Sequence, residues 1–250
     1  MIDTYKSLCT EFYDLDKPAA PKEALEYYLK EVKKSTLPIL EPMCGTGRFL
    51  IPILEQGIDI DGTDASREML ERCEKKCNIK GLTPTLYYQK IQDLKLPRNY
   101  GLIFIPSNSF GLITEEDEVE ESLKKLYACL IPEGQLIIEI EVPYLPSKNE
   151  LINKREVIRT DFSKIVLTTT TLFDSKTKIE ITKCEYQNIV NNSVTLTEKE
   201  IIRVKHYHIN EFADQIKSVG FSEIEALRSY SGEKATEQDN MILFQFIKPD

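Results

Sequence analysis

Two acids and two glycines carry the chemistry this chain offers. Residues 37–50 read LPILEPMCGTGRFL, an apolar run ending in Glu41, then a turn containing Gly45 and Gly47, then the start of a helix. Glycine lacks a Cβ, so such a turn brings main-chain N–H groups close beneath a ligand at a helix N-terminus. Glu41 stands at the strand tip, where a carboxylate meets a cationic amino group. The segment IDIDGTDASREML, 58–70, is a second strand, turn and helix start. It sets Asp64 about twenty residues past the glycines, where an acid accepts from both hydroxyls of a ribose. Asp64 is also a helix cap by type, as is Ser66 two residues on, so both roles stand open for it.

The same residues exclude neighbouring chemistries. Leu50 occupies the place of the third glycine of a dinucleotide fingerprint, which argues against NAD and FAD. No Lys-Ser/Thr pair follows the glycines, so the loop is no phosphate-cradling P-loop. An ammonium at one end and a nucleoside at the other describe S-adenosylmethionine.

On EPMCGTGR (41–48), GTDASREML (62–70), LIFIPSNSF (102–110), LIPEGQLIIE (130–139) and EFADQIKSVGF (211–221), the chain resembles the class I S-adenosylmethionine-dependent methyltransferases. The likeness is to their small-molecule-type branch, with a β-rich insert after strand five. It implies methyl transfer to a nitrogen, oxygen or carbon of a small acceptor, with S-adenosylhomocysteine as product. It also implies donor contacts from Glu41, Gly45, Gly47, Asp64 and Ala65. Met69 would pack on the base, with core packing as its alternative. The family commonly places an acid directly after strand three for the adenine amine. This chain has Lys90 there, which leaves Gln92, Asp93 or the backbone around Ile91. Pro106 opens PSNSF, the edge that lies under the methyl-bearing sulfur in relatives, and it lacks the Asn-Pro-Pro-Tyr/Phe signature of amide and adenine methylases. Tyr13, paired with Asp14, belongs to an N-terminal segment that the family lays across the donor pocket. Tyr5 and Tyr13, eight residues apart, are expected on one helical face. Tyr13, Glu141, His206 and His208 are the candidates for a proton acceptor.

Around these residues, apolar runs alternate with helical periodicity, which predicts a parallel sheet covered on both faces. Strands are expected near 37–41, 58–63, 85–88, 102–106 and 135–141. Val119, Leu123, Leu126 and Leu130 recur at helical spacing, with Pro132 and Gly134 as the stop. A helix over 211–219 and strands near 222–227 and 241–247 close the chain. The resemblance gives the order 3-2-1-4-5-7-6, a Rossmann-like sheet with strand 7 antiparallel. From about Pro146 to Tyr207 the runs KIVLTTTTLFD, KIEITKCEYQNIV and VTLTEKEIIRVKHY predict an antiparallel β-meander. The expected division is 1–145 with 208–250 as the methyltransferase domain and 146–207 as the insert, a substrate lid or dimer surface.

With 250 residues, 41% hydrophobic, the chain holds one sizeable core and a small appended unit. A net charge of −9 opposes attraction to nucleic-acid phosphates. Neither a signal-peptide core nor a membrane-length apolar stretch occurs, so a cytoplasmic protein is expected, with its six scattered cysteines reduced. No metal is called for, although Cys73 and Cys77 share a helix face. A homodimer through an open edge of the meander is a further expectation. The competing readings are a tRNA, rRNA or protein methyltransferase, a non-catalytic S-adenosylmethionine-binding protein, and a nicotinamide dehydrogenase.

Overall fold

The computed structural model describes residues 4–143 and 150–250. In chain order the elements are α1 (Ser7–Asp16), α2 (Lys22–Val32), β1 (Ile39–Pro42), α3 (Leu50–Leu54), β2 (Ile60–Asp64), α4 (Arg67–Ile79), β3 (Thr85–Tyr88), β4 (Tyr100–Ile105), α5 (Glu116–Cys129) and β5 (Leu130–Glu141). Then follow β6 (Leu151–Ile158), β7 (Lys164–Asp174), β8 (Ile179–Val190), β9 (Ser193–Lys205), α6 (Ile209–Ser218), β10 (Ser222–Arg228) and β11 (Met241–Ile247).

Seven strands form one sheet in the order β10-β11-β5-β4-β1-β2-β3. β1 to β5 pair in parallel, and β11 runs antiparallel to both β5 and β10. This is the expected order. The apolar runs of β1 and β4 are buried on both sides, as a sheet covered by helices requires. One face packs Tyr28, Phe49, Leu50 and Cys73, and the other packs Leu123, Leu126, Phe212 and Ile216. The carboxyl ends of β1, β2 and β4 therefore converge on one rim, where open α/β sheets bind ligands.

Three local expectations change. Leu130, expected to extend a helix, begins β5; α5 ends at Cys129, and Leu130 pairs with Tyr100. Pro132 and Gly134 lie inside this strand, at a register shift, and do not stop the helix. Leu130 shares the apolar stripe because strand and helix enter the same core. Tyr5 is not on a helical face with Tyr13: it precedes α1 in a left-handed conformation, φ 59°.

The meander has four strands, β6-β7-β8-β9, all antiparallel. β6, LINKREVI, was not distinguished in the sequence because its side chains are nearly all exposed. Residues 146–149, where the insert was expected to begin, lie outside the described residues. One face of this second sheet packs Ile165, Leu167, Cys184 and Tyr186 against Leu8, Cys9 and Phe12 of α1. No helix among the described residues is long and apolar enough to cross a membrane.

Candidate functional site

The glycine turn is built by close approach. Met43, Gly45 and Gly47 all have positive φ (57°, 55° and 80°), and the Cys44 N–H donates to the Thr63 carbonyl of β2 at 3.0 Å. A Cβ on Gly47 would lie 2.6 Å from Cys73 Sγ and 2.9 Å from Ile51 Cγ1, so only glycine lets the turn seat against α4.

Asp64, at the end of β2, accepts from Gly45 N–H on Oδ2 and from Ser66 N–H on Oδ1, both at 2.8 Å. Ser66 caps α4 itself, its Oγ accepting from Met69 N–H at 3.1 Å. Ser66 therefore takes the helix-cap role that the sequence left open for Asp64, and Asp64 holds the glycine turn. Burial pushes the Asp64 carboxyl up to about 6, against those stabilising N–H donors.

Glu41 is 2% exposed, and its Oε2 has no hydrogen-bond partner. Burial raises its carboxyl well above the carboxylate range, and the charge of Arg48 only partly offsets this. A buried acceptor without a donor is costly, and an ammonium would satisfy it.

The N-terminal segment roofs the turn. Tyr13 lies against the Arg48 guanidinium, 5.2 Å from ring centroid to Cζ. Asp14 anchors α1 to α4 through Arg72 (2.7 Å) and Lys76 (2.6 Å). α1 has no side-chain cap of its own. N–H groups at and just before its start are met from the insert instead: Glu200 accepts from Tyr5 and Lys6, and Glu198 from Leu8, each at 2.8 Å. The Tyr5 carbonyl in turn accepts from Ser66 Oγ at 3.1 Å.

Beneath this roof lies a cleft of about 280 Å³. Of the expected donor residues, Tyr13, Gly45, Asp64, Ala65, Met69 and Gln92 line it. Glu41, Gly47, Asp93 and Pro106 do not: Glu41 and Gly47 lie within the turn's foundation, Asp93 is exposed, and Pro106 is buried, its carbonyl accepting from Ser109 Oγ at 2.9 Å. Sequence reasoning missed Lys90, Glu118 and Arg203 as walls. Arg203 comes from β9, so the insert reaches the cleft.

A second polar group sits at the ends of β4 and β5. Ser107 and Asn108 are consecutive left-handed residues, φ 58° and 55°. Two strand-five acids hold them: buried Glu139 accepts from Ser107 N–H, Tyr28 Oη and Tyr230 Oη, each at 2.7 Å, while Glu141 accepts from Asn108 Nδ2 at 3.2 Å. Glu141 Oε2 is 3.7 Å from His206 Nε2. Burial raises the Glu141 carboxyl, the nearby His206 opposes this, and Glu180 adds to it. His208 lies elsewhere: it precedes α6 and its Nδ1 is 3.0 Å from Glu237. Among the described residues, no cluster of His, Cys, Asp or Glu is placed to hold a metal.

The seven-stranded order, with a glycine turn after β1 and an acid after β2, defines the Rossmann-like class I S-adenosylmethionine-dependent methyltransferase fold. Residues 39–134 match the family model described as "Methyltransferase domain". The chain is 27% identical over 141 residues to the glycine/sarcosine N-methyltransferase of Halorhodospira halochloris, 55% of this chain and 52% of that one. It spans 41–59% of the length of the curated relatives it matches. Among solved structures, an S-adenosylmethionine-dependent methyltransferase from Clostridium acetobutylicum ATCC 824 aligns with a TM-score of 0.78 at 19% identity, covering 95% of this chain and 96% of that one. The sugar N-methyltransferase KedS8 from Streptoalloteichus sp. ATCC 53650 aligns at 0.77 and 16%, covering 100% and 98%. At these identities the likeness is one of fold.

Proposed function

We propose that the chain transfers the methyl group of S-adenosylmethionine to a nitrogen, oxygen or carbon of a small-molecule acceptor. The observation that carries this reading is the buried Glu41 carboxylate with an unpartnered oxygen, set beside a bare glycine turn that Asp64 closes. Glu41 fits an ammonium. Asp64 and the Gly45 turn fit the ribose, and Ala65 and Met69 fit the nucleoside. When bound, the sulfonium supplies an electrophilic methyl carbon, and loss of that methyl leaves S-adenosylhomocysteine.

The protein's own task is then orientation and dryness, effects that lower a barrier by about 7 kcal/mol or more at best. α1, with Tyr13 and Tyr5, covers the cleft, and the insert holds α1 in place. Glu141 and His206, with Asn108, lie at the strand ends where an acceptor would enter. They do not line the cleft, but they are the pair to take a proton when the acceptor must lose one, with Tyr13, which does line it, as the other candidate. His208, exposed and paired with Glu237, is the weakest of the four candidates. Small-molecule acceptors are supported by the net charge of −9, which disfavours an RNA surface, and by the neighbour whose title names a sugar N-methyltransferase.

Calorimetry with S-adenosylhomocysteine and NAD tests the donor. Binding of the first and not the second is expected, and Glu41→Gln weakens it. Preference for NAD overturns the reading. Methyl transfer to a panel of small amines and hydroxyls, compared with tRNA, then identifies the acceptor.

A further inference from the structure

We infer that Glu118, in the first turn of α5, supplies the carboxylate that reads the exocyclic amine of the donor's adenine, in place of the acid missing after β3. This rests on the donor reading above. The chain leaves β3 through Gln89, Lys90, Ile91 and Gln92, all of which line the cleft, and none of them is an acid. Asp93, the next acid, is exposed and does not line it.

Glu118 does line the cleft, and its Oε1 lies 3.6 Å from Lys90 Nζ. The acid is thus delivered from another element to the spot that Lys90 occupies. Ala65, Ile91, Leu112 and Ile113 line the same cleft and give apolar walls suited to a flat ring. The ring's amine edge needs an acceptor, and a lysine ammonium offers three donors and no acceptor. A carboxylate has about four lone-pair sites, so Glu118 can keep Lys90 on one oxygen and accept the amine on the other. Both side chains are about two-fifths exposed, so the pair stands at the cleft mouth and is free to turn inward (38% and 40%). Lys90 is then a positioning residue that holds the Glu118 carboxylate over the cleft.

The experiment compares S-adenosylhomocysteine with S-inosylhomocysteine, whose base carries a carbonyl oxygen where adenine has its amine. Calorimetric affinities are measured for the full chain, for Glu118→Ala, for Gln92→Ala and for the double variant Glu118→Ala with Lys90→Asp. The wild type is expected to prefer the adenosyl compound by about tenfold or more, the scale of one hydrogen bond to a charged group. Glu118→Ala loses most of that preference, through weaker adenosyl binding with inosyl binding unchanged or stronger. Adding Lys90→Asp restores it by returning an acid to the end of β3. An undiminished preference in Glu118→Ala, or its loss in Gln92→Ala alone, overturns the assignment. Failure of the wild type to bind either compound instead sinks the donor reading itself.

Discussion

Gly45 and Asp64 are joined across the turn: the glycine N–H donates to the carboxylate Oδ2 at 2.8 Å, while Oδ1 accepts from Ser66. The loop and the acid are therefore one unit, made by the ends of adjacent parallel strands β1 and β2. An acid here is costly to the folded chain and useful to a ligand, because burial raises its carboxyl from the ordinary 3.8 to about 6. The folded state thus binds a proton that the unfolded state has already lost. As pH rises from about 4 to about 6, this group removes stability, on the order of 3 kcal/mol in all.

A first prediction follows for pH. Ribose hydroxyls need the ionised carboxylate as acceptor, so affinity for S-adenosylhomocysteine falls below about pH 6, approaching tenfold per pH unit. Asp64→Asn binds weakly near neutrality and loses this dependence; only one of its two N–H partners still finds an oxygen, and the other faces the amide NH2. Calorimetric titrations across the acid range read both. A pH profile unchanged by Asp64→Asn would show that another group controls binding.

Glu41 leads to a prediction about protons. Its carboxyl is held well above the usual value by burial, so without a ligand Glu41 keeps its proton to higher pH than an ordinary carboxyl does. An ammonium favours the carboxylate, and binding should expel that proton into solvent. Titrations with S-adenosylhomocysteine in buffers of different ionisation enthalpy are expected to report net proton release. Glu41→Gln abolishes the release and weakens binding by tenfold or so, the loss of about 1.5–3 kcal/mol for a hydrogen bond to a charged group. Equal heats in all buffers count against Glu41 as the amine's partner.

The parts legible in the sequence are those that periodicity and backbone need impose. Parallel strands buried on both faces read as unbroken apolar runs, so their approximate bounds follow, while their order in the sheet comes from the family resemblance. Gly45, Gly47 and Asp64 announce themselves because the turn tolerates few alternatives. What stayed hidden is set by tertiary partners. β6 takes its strand form from pairing with β7 and shows no alternation of its own. Leu130 belongs to a stripe that crosses from helix to strand within one core. Glu118 and Arg203 reach the cleft from α5 and β9, and no local pattern records where a side chain of a distant element points.

The two glycines of the turn should respond differently to alanine. Both have positive φ, which costs an L-residue roughly 1–2 kcal/mol. At Gly45 the added Cβ meets only Met69 Sδ, at 3.9 Å, so stability falls by about that strain alone. Because Gly45 lines the cleft, its methyl nevertheless obstructs the donor and weakens binding. At Gly47 the Cβ collides with Cys73 Sγ and Ile51, and overpacking adds about 1–3 kcal/mol more. Thermal unfolding is expected to rank Gly47→Ala well below Gly45→Ala. The reverse ranking would mean that the turn does not pack on α4 as described.

The insert's hold on the roof can be tested at Glu200. This residue is 4% exposed and accepts from the N–H groups of both Tyr5 and Lys6. Lys6 is the N-cap of α1 and Tyr5 the residue before it, so the helix itself supplies no acceptor for these N–H groups, and here the partner lies nearly two hundred residues away. Burial raises the Glu200 carboxyl while the two N–H donors lower it, so these bonds offset part of the desolvation cost. Glu200→Ala should therefore cost about 2 kcal/mol. It should also speed hydrogen exchange at the start of α1 and weaken S-adenosylhomocysteine binding, since Tyr5 and Tyr13 both line the cleft. Glu200→Gln, which keeps one acceptor oxygen, should fall between. Should Glu200→Ala leave both exchange and affinity untouched, the apolar contacts of Leu8, Cys9 and Phe12 with the insert suffice to hold α1, and the two hydrogen bonds are incidental to the roof.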